Sequence, residues 1–372
     1  MSLAPPSRRG DLASLPLNFW LVGQEGASTQ RRGRYTPASL RHPGKMLPAL
    51  AREILAAYTQ PGDWVLDPMS GIGTTGVEAL HLGRHYVGIE LEPRFAAWQR
   101  QNLTLARRQG AAGTGVVYQG DARRLAPEPG SLPEPSTPGS AAGGPIDAVI
   151  TSPPYGDRLA SVRTPSRTMQ RLIERGRFGG DIVPGIYGRG AANLGNLPDA
   201  EYLREMRAVY AGCLEVLKPG GILAVVIQPG RDRHRLRPLH HETARICVEL
   251  GFELLDERVA ILSRIEAERG RPPTVYAHSH FFKRLAAAHL RDAGYPVSLG
   301  QLEYVLVFRK PGFKRPGVRT GQPKSGLSTA LGGDPRGRGE EDLLPAFLRV
   351  PVASVAQPAA SRKPAATHER SV

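Results

Sequence analysis

Ile146-Asp147-Ala148-Val149-Ile150-Thr151-Ser152-Pro153-Pro154-Tyr155 is the stretch on which the reading of this chain turns. Its β-branched apolar run predicts a buried strand, and the paired prolines stop that strand, because proline fixes φ at about −65° and supplies no ladder N–H. The strand therefore ends in a rigid polar lip. A short hydroxyl, prolyl carbonyls without local donors and an aromatic ring stand side by side there. This set suits a planar base with an exocyclic amine: Ser152 and the Pro153 carbonyl accept the two amine hydrogens while Tyr155 stacks on the ring.

Upstream, Trp64-Val65-Leu66-Asp67 predicts a short strand, and Pro68-Met69-Ser70-Gly71-Ile72-Gly73-Thr74-Thr75-Gly76 a glycine-rich turn into a helix from Val77 to Leu82. Glycines let backbone approach a ligand closely, and a helix N-terminus offers unpaired N–H groups to an anion. The next strand, His85 to Glu90, ends in an acid 23 residues after Asp67, where a doubly wound fold places the carboxylate for ribose hydroxyls. Without a ligand, the same pattern is a bare βαβ unit. A helix from Pro93 to Arg108 and a strand from Val116 to Ala122 follow; Asp121 at that edge either accepts from an adenine amine or caps a helix, and the two roles are compatible. Before all of this, the apolar spacing of Leu47 to Tyr58 predicts a helix preceded by His42-Pro43-Gly44-Lys45.

Downstream, residues 156–198 are irregular and arginine-dense, with Arg158, Arg163, Arg167 and Arg171 either contacting nucleic-acid phosphates or forming a solvated loop. Alternation then resumes: helix Asp199 to Leu217, a Lys218-Pro219-Gly220-Gly221 turn, strand Ile222 to Gln228, helix His240 to Leu250, strand Phe252 to Ile261 and a closing strand Leu302 to Phe308. The expected organisation is an arm over residues 1–34 with disordered flanks around a docking island, Leu15 to Val22, then a domain over 35–310. A flexible insertion is expected at 126–145 and a disordered basic tail at 311–372.

A net charge of +15 over 372 residues favours a polyanionic partner, and the two flanks carry more than their share of it. Cys213 and Cys247, the only cysteines, sit inside expected helices, which argues against a disulfide framework and for a reducing cytoplasm. No run of 18 or more apolar residues or hydrophobic leader occurs, so a soluble protein without membrane attachment is expected. His240, His241, His278 and His280 have no carboxylate or cysteine framework at ligand spacing, and no metal is expected.

Taken in sequence, the glycine turn, the two acid-tipped strands, Thr151-Ser152-Pro153-Pro154-Tyr155 and Leu217-Lys218-Pro219-Gly220-Gly221 resemble the DNA amino-methyltransferases that use S-adenosylmethionine, the N4-cytosine and N6-adenine methylases. The resemblance covers roughly residues 35–310, with Asn193 to Pro198 and Phe281 to Leu285 also similar. It implies an α/β, doubly wound, Rossmann-like class I methyltransferase sheet with helices on both faces. It further implies that Asp67, Pro68, Gly71, Gly73, Thr74 and Thr75 shape the cofactor pocket, with His42 and Lys45 contributing from upstream. Glu90 would bind the cofactor's ribose, and Asp121 with Ala122 its adenine. Thr151 to Tyr155 would be the catalytic segment. Ser152 stands where many relatives carry Asp or Asn, a substitution associated with cytosine N4 more than adenine N6.

Two departures accompany the resemblance. Pro-Pro-Tyr follows the glycine turn, whereas in many N4-cytosine relatives it precedes it, so the chain is permuted relative to them. No large block remains for a separate target-recognition domain, which leaves specificity to residues 156–198 and to Ser263 to Pro296. The expected partner is DNA. An RNA enzyme, such as one acting on guanine N2 of tRNA, is the alternative, and a non-catalytic nucleic-acid binder the second; oligomeric state is not legible.

Overall fold

Eight strands form one sheet in the computed structural model, which describes residues 17–125, 146–154, 192–232, 235–268, 270–277, 291, 292, 294 and 300–312. In chain order the strands are β1 (Phe19–Leu21), β2 (Trp64–Asp67), β3 (His85–Glu90), β4 (Gly115–Gln119), β5 (Ile146–Thr151) and β6 (Leu217–Ile227). They continue with β7 (Gly230–Asp232), β8 (Arg235–Arg237), β9 (Glu253–Ile261), β10 (Arg264–Glu266), β11 (Thr274–Tyr276) and β12 (Leu302–Arg309). The helices are α1 (Ala27–Arg31), α2 (Pro48–Tyr58), α3 (Thr74–His81), α4 (Pro93–Arg108), α5 (Asp199–Val216) and α6 (Leu239–Glu249). None of these helices is long and apolar enough to cross a membrane.

The order across the sheet is β1-β9-β12-β6-β5-β2-β3-β4. Strands β4, β3, β2, β5 and β6 run parallel, and β12 lies antiparallel between β6 and β9. The chain winds outward from β2 to β4 and restarts at β5 on the other side of β2. This is the doubly wound arrangement expected, and its direction reverses between β2 and β5.

Neighbouring residues on the strands point to opposite faces, and both faces are covered. Val65, Tyr86, Ala224, Val226, Val305 and Val307 meet helices α2, α3 and α4 through Leu50, Ile54, Leu80 and Phe95. Leu66, Val87, Leu223, Val225, Leu306 and Phe308 meet α5 and α6 through Tyr202, Met206, Tyr210 and Ile246. Each fully buried aliphatic contributes about 1.5–3 kcal/mol, so the two faces hold the carboxyl edge of the sheet rigidly in place.

Three boundaries differ from expectation by three residues or more, and the first is β4, which ends at Gln119 and not Ala122 because Asp121 caps a helical turn at Ala122–Arg124. Helix α3 starts at Thr74, three residues early, because Gly73 supplies the left-handed φ of +77° from which the helix launches. Strand β6 starts at Leu217, so Leu217-Lys218-Pro219-Gly220-Gly221 lies within the strand instead of forming a turn before it. The register slips there, Ile146 pairing with Leu217 and Ala148 with Ile222. Pro219 falls in that irregularity, where no ladder donor is needed, and Lys218 Nζ reaches Asp147 at 2.6 Å. Within the N-terminal arm, the island enters the sheet as β1, parallel to β9 with Trp20 opposite Ala260. Gln30 and Arg31 of α1 are buried, and Arg34, Arg52 and Tyr35 all reach the fully buried Glu78 on α3 at 2.9–3.0 Å.

Candidate active site

The carboxyl ends of β2 and β3 carry the two acids, and the glycine loop runs between them. Asp67, 3% exposed, accepts from Thr75 Oγ1 at 2.8 Å and from the Met69 N–H at 3.2 Å. Burial raises its pKa to about 6, against the pull of those donors. Glu90 accepts from the Gly71 N–H at 2.7 Å and the Glu92 N–H at 2.9 Å; burial pushes it to about 7. Pro68 in this loop and Thr74 and Thr75 in the first turn of α3 are buried, whereas Gly71 is partly open, with φ +54°. Only glycine adopts these left-handed angles without strain, so Gly71 and Gly73 set the turns of the loop.

His42 joins this cradle from 29 residues upstream. A Cβ added at Gly71 would lie 3.4 Å from His42 Nε2, so the imidazole covers the loop. The His42 ring meets Phe95 edge-on at 4.2 Å, and its Nδ1 accepts from the Gly44 N–H at 3.3 Å. Burial first, then the Lys45 charge, lowers its pKa to about 3, so it is neutral at physiological pH. Lys45 donates to the carbonyls of Leu40 (2.9 Å) and His42, with its pKa lowered to about 8 by burial and by Arg31.

Asp121, beyond the end of β4, is engaged differently. It caps a short helical turn at Ala122–Arg124 by accepting from the Arg123 N–H at 3.0 Å, and both its oxygens receive the Arg123 guanidinium. Burial works against its charge, yet Arg123 outweighs burial and holds the carboxyl below its ordinary range. Ala122 is buried beside it.

The lip stands next to the cradle. Strands β2 and β5 are parallel neighbours, Val65 opposite Ala148 and Leu66 opposite Val149, so Asp67 and Thr151 end on one edge at the switch point. The Thr151 hydroxyl, fully buried and, among the described residues, without a hydrogen bond of ordinary geometry, is near enough to Asp67 to pull its pKa down against burial. Pro153 is buried, and Ser152 and Pro154 are half-buried, at the rim. Tyr155, Arg158, Arg163, Arg167 and Arg171 lie outside the described residues.

Two residues on α4 that hold the glycine loop escape sequence reading. Gln99, wholly buried, accepts from Ser70 Oγ at 2.8 Å and donates to the Tyr86 hydroxyl at 2.8 Å. Asn102 donates to the Ile72 carbonyl at 2.9 Å while its oxygen receives the Thr36 N–H at 2.8 Å. Helix α4 thus pins the glycine loop at Ser70 and Ile72. The signal was there in the sequence: Gln99 and Asn102 interrupt the apolar stripe of Phe95, Trp98, Leu103 and Ala106, where a polar side chain needs a buried partner.

A cradle with a glycine loop, two buried acceptors for hydroxyl or amine hydrogens and an apolar wall fits a nucleoside-like ligand. The adjoining lip has acceptors for a second, amine-bearing group. Among known proteins, residues 13–100 match the DNA methylase family. The chain is 41% identical over 63 residues to the type II methyltransferase M2.DpnII of Streptococcus pneumoniae, covering 17% of this chain and 24% of the relative. It is 50% identical over 56 residues to the type II methyltransferase M.XycI of Xanthomonas campestris pv. cyanopsidis, covering 15% and 19%. The matches thus span about a quarter or less of those relatives' lengths. Among solved structures, an S-adenosylmethionine-dependent O-methyltransferase of Thermotoga maritima superposes with a TM-score of 0.40 at 13% identity, over 73% of this chain and 68% of that one.

Proposed function

We propose that this chain is a DNA amino-methyltransferase, the reading that its partial matches support, and that it transfers a methyl group to an exocyclic amino group of a DNA base, cytosine N4 ahead of adenine N6. S-adenosylmethionine, the cofactor that the family implies, supplies an electrophilic sulfonium methyl. The residues present fit it. Asp67 and Glu90 offer buried acceptors, Gly71 and Gly73 supply the left-handed turns that carry the loop between them, and neutral His42 closes the cradle without adding a second cation beside a sulfonium.

One observation carries the proposal: Asp67 and Thr151 end adjacent parallel strands, so the cradle and the Ser152-Pro153 lip share one edge at the switch point. An exocyclic amine delocalises its lone pair into the ring and is a poor nucleophile. Ser152 Oγ and the Pro153 carbonyl, accepting its two hydrogens, favour a pyramidal nitrogen whose lone pair is directed outward. They also stabilise the positive charge that develops on that nitrogen, so no strong base is needed before transfer. A base in duplex DNA must leave the stack to reach the lip, and Tyr155 is assigned the stacking that offsets part of that cost, about a few kcal/mol.

The test is transfer of isotopically labelled methyl from S-adenosylmethionine to duplex DNA, followed by nucleoside analysis that separates N4-methylcytosine from N6-methyladenine. Label in N4-methylcytosine is expected; label in N6-methyladenine reverses the base preference, and label in neither ends the DNA reading. Ser152→Ala should slow transfer by about 10²–10³-fold with cofactor affinity, measured by calorimetry, unchanged.

A further inference from the structure

The basic side chains of this fold divide by what neutralises them. Arg207 meets Glu249 at 2.8 Å, Arg245 meets Glu242 and Glu249, Arg309 meets Glu253 at 2.6 Å, and Arg34 and Arg52 share Glu78. Arg41 and Arg94 are exposed and, among the described residues, neither has a carboxylate within ion-pair distance. Both lie instead on one indole. The Arg41 guanidinium is 5.3 Å and that of Arg94 5.6 Å from the Trp98 ring centroid, and Arg94 is 5.6 Å from that of Phe95. Trp98 is itself buried, 5.5 Å from Phe95.

The position of this pair is informative. Arg94 lies in the first turn of α4, four residues after Glu90, and Arg41 precedes His42, whose ring covers Gly71 and packs on Phe95. Arg124, exposed, follows Asp121 past the end of the neighbouring β4. All three cations therefore border the carboxyl edge that carries the cradle. A guanidinium stacked on an indole keeps its charge and its planar donor fork but gives up rotamer freedom in advance. Fixed, unneutralised forks suit a polyanion better than a single carboxylate, because each phosphate they meet releases condensed counterions.

We propose that Arg41 and Arg94, seated on Trp98, form a phosphate-binding rim that receives the backbone of duplex DNA beside the cofactor cradle, with Arg124 extending it. This rests on the DNA reading above. The experiment compares the salt dependence of binding to a DNA duplex, by fluorescence anisotropy, for the full chain, the Arg41→Ala/Arg94→Ala variant and an Arg108→Ala/Arg309→Ala control. The control removes the same charge at the ends of α4 and β12, on the opposite edge of the sheet. The slope of log K against log salt should fall by about 1.8 in the rim variant, and by much less in the control. Arg41→Lys/Arg94→Lys should keep the slope and bind more weakly. Calorimetry with S-adenosylmethionine should give one affinity for all four proteins.

A rim variant with the wild-type slope, in a protein that still methylates DNA, overturns the rim and leaves the DNA reading standing. Equal loss in rim and control variants overturns it too, because bulk charge alone would then account for the effect. A wild-type protein that methylates RNA and ignores duplex DNA removes both the partner named here and the reading beneath it.

Discussion

Glu90 and Asp121 follow neighbouring strands of one sheet, yet the fold prepares them for different work. Among the described residues Glu90 is satisfied only by backbone N–H groups, of Gly71 and Glu92, and burial raises its pKa to about 7. Asp121 is half-buried and grips Arg123, which also reaches Glu205 on α5 at 2.7 Å. A carboxyl held by neutral donors remains open to a ligand's hydroxyls. One already paired with a guanidinium serves first as a clamp between β4 and α5, and any adenine amine must share its oxygens with Arg123.

The sharpest way to break this contrast is to truncate each acid. Glu90→Ala leaves two N–H groups of the cradle without acceptors, and loss of about 1–3 kcal/mol for each such group should weaken S-adenosylmethionine binding by about 100-fold. Asp121→Ala should cost about tenfold or less, since its capping and ion-pair roles are remote from the loop. Equal losses by calorimetry would erase the distinction drawn here.

A steric test of the cradle comes next. A Cβ at Gly88 would sit 2.2 Å from Gln99 Nε2 and 2.8 Å from the Tyr86 hydroxyl, so Gly88→Ala should destabilise the fold by about 1–3 kcal/mol. Cofactor affinity should drop with it, because displaced Gln99 releases Ser70. Denaturant unfolding with and without S-adenosylmethionine reads both effects, and an undisturbed midpoint would show that Gln99 moves freely.

Smaller still is the pH effect. Glu90 and Asp67 titrate at about 7 and about 6 in the folded protein, above their ordinary values of 4.5 and 3.8, so the native state holds protons that the unfolded chain has released. Stability of the ligand-free protein should therefore fall as pH rises from about 4 to about 7 and level off above it. Glu90→Gln should flatten the upper part of that slope in thermal melts, whereas Asp121→Asn should not. The least effect is expected for Arg123→Ala, about two- to fivefold in cofactor affinity, measured by the same titration.

Much of the cradle was legible because its chemistry is local. Trp64–Asp67, His85–Glu90 and Pro93–Arg108 fall where apolar period, Gly71 and Gly73, and Pro93 put them. Residues that act across the sheet were not legible. Gln99 stands out as a polar break in the apolar stripe of α4, but its partner Ser70 is fixed only when α4 is laid on the glycine loop, and the His42 ring reaches Gly71 only once α2 and α3 are packed. Likewise Leu217 to Gly221 has the composition of a turn, and only pairing with Ile146 and Ala148 draws it into β6. The lip was legible as far as Pro154, since two prolines in a row leave the backbone few choices. The stacking role of Tyr155 remains the proposal made for it.

The place of β1 has a consequence for synthesis. Phe19–Leu21 is made early but pairs with Val259–Ile261, some 240 residues later, and β9 in turn reaches β6 only through β12. While the chain is being made, the nascent sheet can assemble from β4 to β6 and then must wait, with the β6 flank raw and open to other strands. Completion falls to β12, the last strand among the described residues, which seals that flank and seats β9, the partner of β1. Removing β1 or β12 would therefore injure the same margin, and the damage would surface as aggregation before it surfaced as lost catalysis.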